Sequence, residues 1–283
     1  MKAKTARPMK KPTNRAAALR WFGWTDVGRV RKNNEDAFLG LRFDAREVHR
    51  LGKFGGASLA THDFTFAVCD GIGGAKAGEY ASQIAVEKIT TLLPRAFHQS
   101  ASGINAGFND VLTELFGQIH RALVYLGASY DECHGMQTTM SLCWFTPGWM
   151  YFGHVGDTRI YHLPKKKNEL KQLTEDDTYV GWLARNGKIS DYEARTHPRR
   201  KVLQKALGGE SRYVDPQAGA VVCERGDTFL ICSDGLTEGL YDHLIVDLLR
   251  AKKPDFNPAK ALVESSVKND GRDNTTALVI QVG

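Results

Sequence analysis

Short apolar runs that end abruptly in an acidic residue recur along this chain. The clearest is residues 64–74, in which a β-prone apolar run is followed by Asp70 and a glycine-rich segment. An apolar run bounded by turn residues predicts a buried strand. A carboxylate at the end of such a strand needs a partner, because an unpaired charge is costly to bury. Asp70 is therefore either a metal ligand at the edge of a sheet or a turn residue, and this stretch alone favours neither.

The periodicity of the remaining chain predicts both helices and strands. Apolar residues at helical spacing predict amphipathic helices. The proline at position 94 is predicted to end the first of them. The predicted helices are residues 77–93, 106–126, 177–185, 190–196, 201–207, 242–250 and 258–267. The predicted strands are residues 21–27, 37–41, 137–145, 149–154, 158–163, 170–173, 218–223, 228–232 and 275–282, besides the one that ends at Asp70. Residues 44–62 are predicted to form a loop or an irregular hairpin.

This order of elements predicts an α+β fold. Short connections between successive strands favour antiparallel hairpins over a wound parallel sheet. Two helix pairs covering two antiparallel sheets would form a four-layer α/β/β/α sandwich. Residues 176–209 interrupt this pattern as a small inserted helical unit.

Charge is distributed unevenly along the 283 residues. The net charge is +6, but residues 1–20 hold seven Lys and Arg side chains and no acid, so the remainder carries −1. We expect residues 1–20 to be a disordered, solvated tail. The alternative is an electrostatic arm for nucleic acid, lipid or an acidic partner. Nucleic acid is disfavoured, because no aromatic residues are interleaved with these charges.

Other sequence signals bear on the compartment. No apolar run is long enough for a membrane span, and the basic N-terminus lacks the apolar stretch of a secretory signal. The five cysteines are Cys69, Cys133, Cys143, Cys223 and Cys232. An odd number without a CxxC pair predicts neither a disulfide framework nor a zinc site. We therefore expect a cytoplasmic protein with reduced thiols.

Acidic residues at three further places in the chain repeat the placement of Asp70. Asp234 follows the apolar residues 229–232, Asp273 lies just before the last strand, and Glu35 and Asp36 lie just before the second. Acids at strand ends can meet at one edge of a sandwich, where they would repel one another strongly without cations. Oxygen ligands with no nearby His or Cys set favour Mg²⁺ or Mn²⁺ over Zn²⁺. Two such ions can share a bridging carboxylate and a hydroxide.

Each acid taken alone has a simpler interpretation. Asp-Gly is a common turn dipeptide, so Asp234 by itself would more often be a turn residue than a ligand. Asp273 alone would be a loop cap, and Glu35 and Asp36 alone would form a solvated turn. The repeated placement against apolar strands is what favours a metal site.

With these acids in place, the chain resembles the metal-dependent Ser/Thr protein phosphatase family, type 2C (PPM), in its bacterial form. Six motifs in family order carry the resemblance. They are residues 25–36, 70–74 with 78–79, 135–139, 156–159, 233–237 and 273–276. The resemblance runs from about residue 21 to the C-terminus. It implies a catalytic domain at 21–283, with residues 176–209 as the mobile flap.

The resemblance also implies roles for individual residues. The implied metal ligands are Glu35, Asp36, Asp70, Gly71, Asp234 and Asp273. Asp70 should bridge two ions and the Gly71 carbonyl should complete the first site. The two later aspartates should hold the second ion, with Glu35 and Asp36 acting there directly or through water. Arg31 should bind the substrate phosphate, for which a guanidinium group is suited.

Three positions bear on how this chain compares with its implied family. Asp157 resembles the acid of a third, weaker metal site. Position 72 is Ile72, where some family members have a histidine proposed as the general acid, so the leaving oxygen would take its proton from metal-bound water or another group. Lys201 aligns with a small hydroxyl residue of the third-metal region, where a lysine would compete with a cation.

The resulting hypothesis is a protein-serine/threonine phosphatase that uses a hydroxide bridging two Mn²⁺ or Mg²⁺ ions. The implied partners are phosphorylated proteins and a cognate Ser/Thr kinase, with no nucleic acid and no membrane span, and the expected state is a monomer. One alternative is a pseudophosphatase that binds phosphoproteins through Arg31 and the flap. A hydrolase of small phosphate esters is another.

Overall fold

Two antiparallel sheets form the centre of the structure, a computed structural model that describes residues 18–44, 46–73, 77–101, 107–251 and 255–283. The strands of the first sheet are β1 (Ala18–Asp26), β4 (Phe54–Ser58), β9 (Arg159–Leu163), β10 (Lys171–Gln172), β13 (Thr228–Cys232) and β14 (Thr275–Val282). Their order is β10-β9-β13-β14-β1-β4.

The second sheet has eight strands. They are β2 (Asp36–Phe43), β3 (Val48–Arg50), β5 (Asp63–Ile72), β6 (Gln137–Thr138), β7 (Met140–Thr146), β8 (Trp149–Val155), β11 (Leu207–Gly208) and β12 (Gln217–Val222). The order is β11-β6-β5-β7-β8-β12, and β2 pairs with both β5 and β3.

Seven α-helices occur in the described residues. They are α1 (Ala77–Ala101), α2 (Phe108–Ser129), α3 (Tyr179–Arg185), α4 (Asp191–Thr196), α5 (Asp234–Gly239), α6 (Asp242–Arg250) and α7 (Pro258–Asn269). A 3₁₀ turn, Asp131–Cys133, follows α2. No helix in these ranges is both long and apolar enough to cross a membrane.

The core between the sheets is rich in aromatic side chains. Phe66 on β5 is buried and lies with its ring centroid 5.9 Å from those of Trp21 and Phe145. Phe145 in turn contacts Phe229 of the other sheet at 5.3 Å in an edge-to-face arrangement. Such contacts hold the two sheets face to face.

Helices cover the outer face of each sheet. The buried faces of α1 and α2 pack on the eight-stranded sheet around residues such as Ile89, Leu115 and Leu142. The buried faces of α5, α6 and α7 pack on the six-stranded sheet around Leu236, Ile245 and Leu262. The predicted four-layer α+β sandwich is confirmed, although the second layer has three helices rather than a pair.

Strand direction brings the acid-bearing ends to one edge of the sandwich. In the register of β2 and β5, Asp36 lies opposite Asp70. In the other sheet Cys232 pairs with Ala277 of β14 and with Arg159 of β9. The residues just after β13, just before β14 and just before β9 therefore meet at the same end. This register therefore places Asp234, Asp273 and Asp157 at that end of the sheet.

Several predicted elements differ from those in the structure. The helix predicted for 77–93 continues past position 94 to Ala101, because a proline removes one backbone hydrogen bond without preventing helix on both sides. No helix forms at 201–207, where Gln204 donates to the Asp177 carbonyl at 2.7 Å and Leu207 begins β11. Long-range pairing here outweighs the local helical pattern.

Residues 44–62 and the N-terminal tail also need correction. The predicted loop or hairpin instead supplies β3 to one sheet and β4 to the other. The tail was predicted to include residues 18–20, but these begin β1, and Leu19 is buried between the sheets. Residues 1–17 lie outside the described residues, as does Gly74 of the Asp70 motif.

Replacing Phe66 with alanine should lower the free energy of unfolding by about 3–5 kcal/mol, because the inter-sheet core loses a buried ring and keeps a cavity. Urea denaturation followed by tryptophan fluorescence measures this. The matched control is Phe54→Ala, since Phe54 is 72% exposed and its loss should change stability little. Equal effects of the two substitutions would contradict this account of the core.

Candidate active site

Asp36 and Asp70 form the innermost part of the site. They face each other across β2 and β5. Asp36 also reaches the other sheet, because Ser233 Oγ donates a hydrogen bond to Asp36 Oδ2 at 2.7 Å. Ser233 is itself held by the Thr276 amide at 2.9 Å. One carboxylate thus links the two sheets at the edge where the acids meet.

Electrostatics place the other predicted acids around this pair. Burial raises the pKa of Asp70 well above its usual range, and the charges of Asp36, Asp234, Asp157 and Asp273 raise it further. Carboxylates that perturb one another in this way lie close together. Burial and the charge of Asp273 also raise the pKa of Glu35, although Arg31 opposes them. We call these five aspartates and Glu35 the acid group.

Asp36 has one oxygen that the fold leaves unsatisfied. Its Oδ1 atom is buried and has no hydrogen-bond partner among the described residues. Burial is the main cause that raises the pKa of Asp36 to about 7, opposed by the neighbouring Thr276 and by the hydrogen bond from Ser233. An orphaned buried carboxylate oxygen is unusual in a folded protein and fits a ligand position for a cation.

Gly71 lies where three backbone segments come together. Its amide donates to the Glu35 carbonyl at 3.1 Å. A Cβ atom added at Gly71 would lie 1.9 Å from the Gly78 carbonyl oxygen, so no larger residue fits. This close approach brings the backbone of β5 against the start of α1, beside the Glu35 side chain.

Asn274 holds the segment that carries Arg31 and Glu35. Its Oδ1 accepts from the Glu35 amide at 2.8 Å. Its Nδ2 donates to the carbonyls of Val27 and Asn33 at 2.9 and 3.0 Å. These three bonds fix the β1–β2 connection against the residue that follows Asp273.

Two cations lie on Asp273. Arg31 donates to its carboxylate through Nε at 2.9 Å and Nη2 at 3.1 Å, and lies 3.6 Å from Glu35. Lys201 Nζ forms a second ion pair with Asp273. Burial by itself would raise the pKa of Asp273, but these two partners outweigh it and lower the pKa.

Asp157 lies on the side of the acid group that faces the inserted unit. Burial, together with the charges of Asp234 and Asp176, raises the pKa of Asp157 well above its usual range. The Asp177 amide donates to the carbonyl of the preceding residue, Gly156, at 2.7 Å, and the Gly156 amide donates to Asp177 Oδ2 at 3.1 Å. A cavity of about 470 Å³ opens beside it, lined by Asp157, Arg159, Asp176, Lys201, Asp234 and Glu238 among others.

Ile72 ends β5 directly after Gly71, where it pairs with Gln137. A hydrocarbon side chain cannot donate a proton, so any proton donor at the site must be another group.

The donor set of the acid group suits hard divalent cations. All of its members offer oxygen, and Mg²⁺ and Mn²⁺ prefer carboxylate, carbonyl and water ligands. In the described residues, three potential ligand atoms lie within 4.8 Å of one another at Asp44, Glu47 and His62, away from this site. The ligand atoms of the acid group are further apart, because like charges repel and Lys201 lies between Asp234 and Asp273.

Three residues that contact the acids or the segment carrying them were not assigned from the sequence. Ser233 and Asn274 lie inside quoted motifs, but their hydrogen bonds to Asp36 and Glu35 join segments far apart in the chain. Glu238 was missed because no helix was predicted for the residues that follow Asp234. Helix α5 starts at Asp234, so Glu238 lies one turn further on the same face.

Comparison with known proteins gives consistent results. A family model described as Protein phosphatase 2C matches residues 53–265. The chain is 31% identical over 258 residues to the serine/threonine phosphatase stp of Listeria welshimeri, covering 91% of this chain and 93% of that protein.

Solved structures are also similar. A serine/threonine phosphatase from S. agalactiae superposes with a TM-score of 0.79 at 26% identity, over 94% of this chain and all of the other. The catalytic domain of the phosphatase PstP, described as a complex with two manganese ions, has a TM-score of 0.72 at 28% identity, over 94% and 98% of the two chains.

The raised pKa of Asp36 predicts a pH-dependent stability of the metal-free protein. Because the folded state binds the Asp36 proton more tightly than the unfolded state, this group destabilises the fold increasingly as pH rises from about 4 to about 7. In EDTA, Asp36→Asn should therefore melt several degrees above the wild type at pH 8, with the difference shrinking toward pH 5. Thermal unfolding followed by circular dichroism measures it. Glu264→Gln, an exposed acid on α7, should show no such trend.

Asn274→Ala should lower the free energy of unfolding by about 1–3 kcal/mol, because buried backbone groups that it serves lose their partners. Urea denaturation measures the loss, and hydrogen exchange of the Glu35 amide locates it. Asn274→Asp keeps the acceptor for that amide but not the two donors, so it should protect Glu35 better than alanine does. Unchanged exchange in the alanine variant would argue against this role.

Proposed function

Because this chain belongs to the protein phosphatase 2C family, we propose that it removes phosphate from phosphoserine and phosphothreonine in proteins, reversing Ser/Thr kinase signalling. Family membership confirms the resemblance and the enzyme class expected from the motifs. The observation that carries the proposal is the convergence of five aspartates on one edge of the sandwich, with a buried Asp36 oxygen left without a hydrogen bond in the described residues.

The acid group would hold the metal ions that this reaction needs. We assign Asp70 to both ions, the Gly71 carbonyl to the first, and Asp234 and Asp273 to the second, with Glu35 and Asp36 beside them. Asp157 is the candidate for a third. When bound, Mn²⁺ or Mg²⁺ would supply a bridging hydroxide as nucleophile and neutralise charge on the phosphate oxygens. The manganese ions of the similar PstP domain support this choice of metal.

The protein's own residues would bind and orient the substrate. Arg31 is proposed to hold the phosphate, for which its forked donors are suited. Its side chain is 46% exposed, so a phosphate can reach it from solvent. Asn274 would keep Arg31 and Glu35 in place through the β1–β2 connection. Since Ile72 carries no exchangeable proton, the departing alkoxide would be protonated by a different group.

The domain assignment follows from the same proposal. Residues 21–283 would form the catalytic domain, and the inserted unit at 176–209 would act as the flap beside the site. Phosphorylated proteins are the proposed substrates, with a Ser/Thr kinase as the opposing enzyme. The curated relative from L. welshimeri, named a serine/threonine phosphatase, supports this substrate class.

Substituting Asp70→Asn or Asp234→Asn should reduce Mn²⁺-dependent hydrolysis of a phosphothreonine peptide by at least about a thousandfold, because an amide cannot replace a charged bridging or ligating oxygen. Phosphate release measures the rate, and circular dichroism checks that each variant folds.

The matched control is Glu264→Gln, which neutralises an exposed acid on α7 and should keep wild-type turnover. Wild-type activity in either aspartate variant would refute the site assignment. A wild-type protein that binds the phosphopeptide without turnover, with or without metal, would instead support the pseudophosphatase alternative.

A further inference from the structure

The acids assigned to the second ion already hold a cation from the chain itself. Lys201 Nζ forms an ion pair with Asp273 and lies 3.3 Å from Asp234 Oδ2 and 3.3 Å from Glu238 Oε1. Three carboxylates from two segments thus surround one ammonium group. A divalent ion ligated by Asp234 and Asp273 would need the same oxygens.

Lys201 is delivered to this position by its backbone rather than by the ion pairs alone. Residues 198–201 form a turn after α4, in which the Arg200 amide donates to the His197 carbonyl at 3.1 Å. The next residue, Val202, accepts from the Tyr179 amide at 2.9 Å. The ammonium group can therefore leave the acids by rotating its flexible four-carbon stem while its Cα stays in place.

Two neighbouring cations also hold the flap on α5. Arg195 Nη2 donates to the carbonyls of Thr237 and Leu240 at 2.5 and 3.3 Å, near the end of α5. Arg200 Nε lies 3.4 Å from Glu238. Because these contacts attach the flap to α5, the ion pairs of Lys201 with Asp234 and Asp273 are not needed to hold the flap there.

We propose that Lys201 is an internal cation that competes with the second divalent ion for Asp234 and Asp273, and so sets the metal affinity of that position. The proposal rests on the proposed function, because it takes these two aspartates as ligands. In the metal-free protein the ammonium group keeps the carboxylates paired. When the ion binds, the ammonium group withdraws, and the free energy needed to displace it lowers the observed affinity for the ion.

The test is a Mn²⁺ titration followed by calorimetry, with unbound ion measured by electron paramagnetic resonance. Lys201→Ala should bind the weaker of the two Mn²⁺ ions at least about tenfold more tightly than the wild type, since one competing charge a few Å away is removed. Lys201→Arg keeps a cation and should stay near the wild-type affinity. Lys205→Ala is the matched flap control, because Lys205 pairs with Asp177 at 3.7 Å, outside the acid group.

A second measurement separates competition from a purely structural role. In EDTA, Lys201→Ala should melt below the wild type, because the acids lose their cation. At saturating Mn²⁺ the two should melt together. Equal Mn²⁺ affinity of Lys201→Ala and the wild type overturns the proposal, as does a Lys205→Ala variant that gains affinity as much.

Failure of the proposed function gives a different result. Turnover of a phosphothreonine peptide by the wild type at saturating Mn²⁺, with no affinity change in Lys201→Ala, overturns the competition alone. Tighter Mn²⁺ binding by Lys201→Ala in a protein whose wild type has no turnover supports the competition and overturns the proposed catalysis.

Discussion

Repulsion between like charges is the constraint on which the site of this protein depends. The fold brings aspartates from five parts of the chain to one edge of a two-sheet sandwich, and burial and mutual repulsion raise the pKa of four of them. Such an arrangement is unfavourable unless cations offset it. Its persistence in a folded domain is best explained by a function that supplies them.

The surrounding structure manages this charge in two ways. Neutral side chains hold individual groups in position: Ser233 donates a hydrogen bond to Asp36, and Asn274 accepts from the Glu35 amide and donates to two carbonyls of the β1–β2 connection. Cationic side chains cover the outer acids, with Arg31 and Lys201 both on Asp273. Neither Asp36 nor Asp70, the inner pair, forms an ion pair with a Lys, Arg or His side chain of the described residues. The protein's own positive charges therefore lie on the outer acids rather than on this inner pair.

The accuracy of the sequence-based predictions follows the range of the interactions involved. Elements with strong local periodicity were predicted nearly to their ends, such as α6 and β14. Predictions went wrong where partners distant in sequence decide the conformation. Residues 201–207 have an apolar pattern that suits a helix, yet their backbone pairs with residues 138 and 177–179. Residues 44–62 were too short and mixed to reveal that β3 and β4 belong to different sheets.

The fold class, the family and the acids proposed as ligands can be predicted from the sequence, because apolar runs that end in aspartate and motifs in family order are local features of the chain. How those acids are partnered depends on contacts between distant segments. The register of the strands places Asp36 opposite Asp70, and the inserted unit at 176–209 places Lys201 on Asp234 and Asp273. These contacts join residues 33 to 72 positions apart, and no pattern within a single segment encodes a distance of that kind.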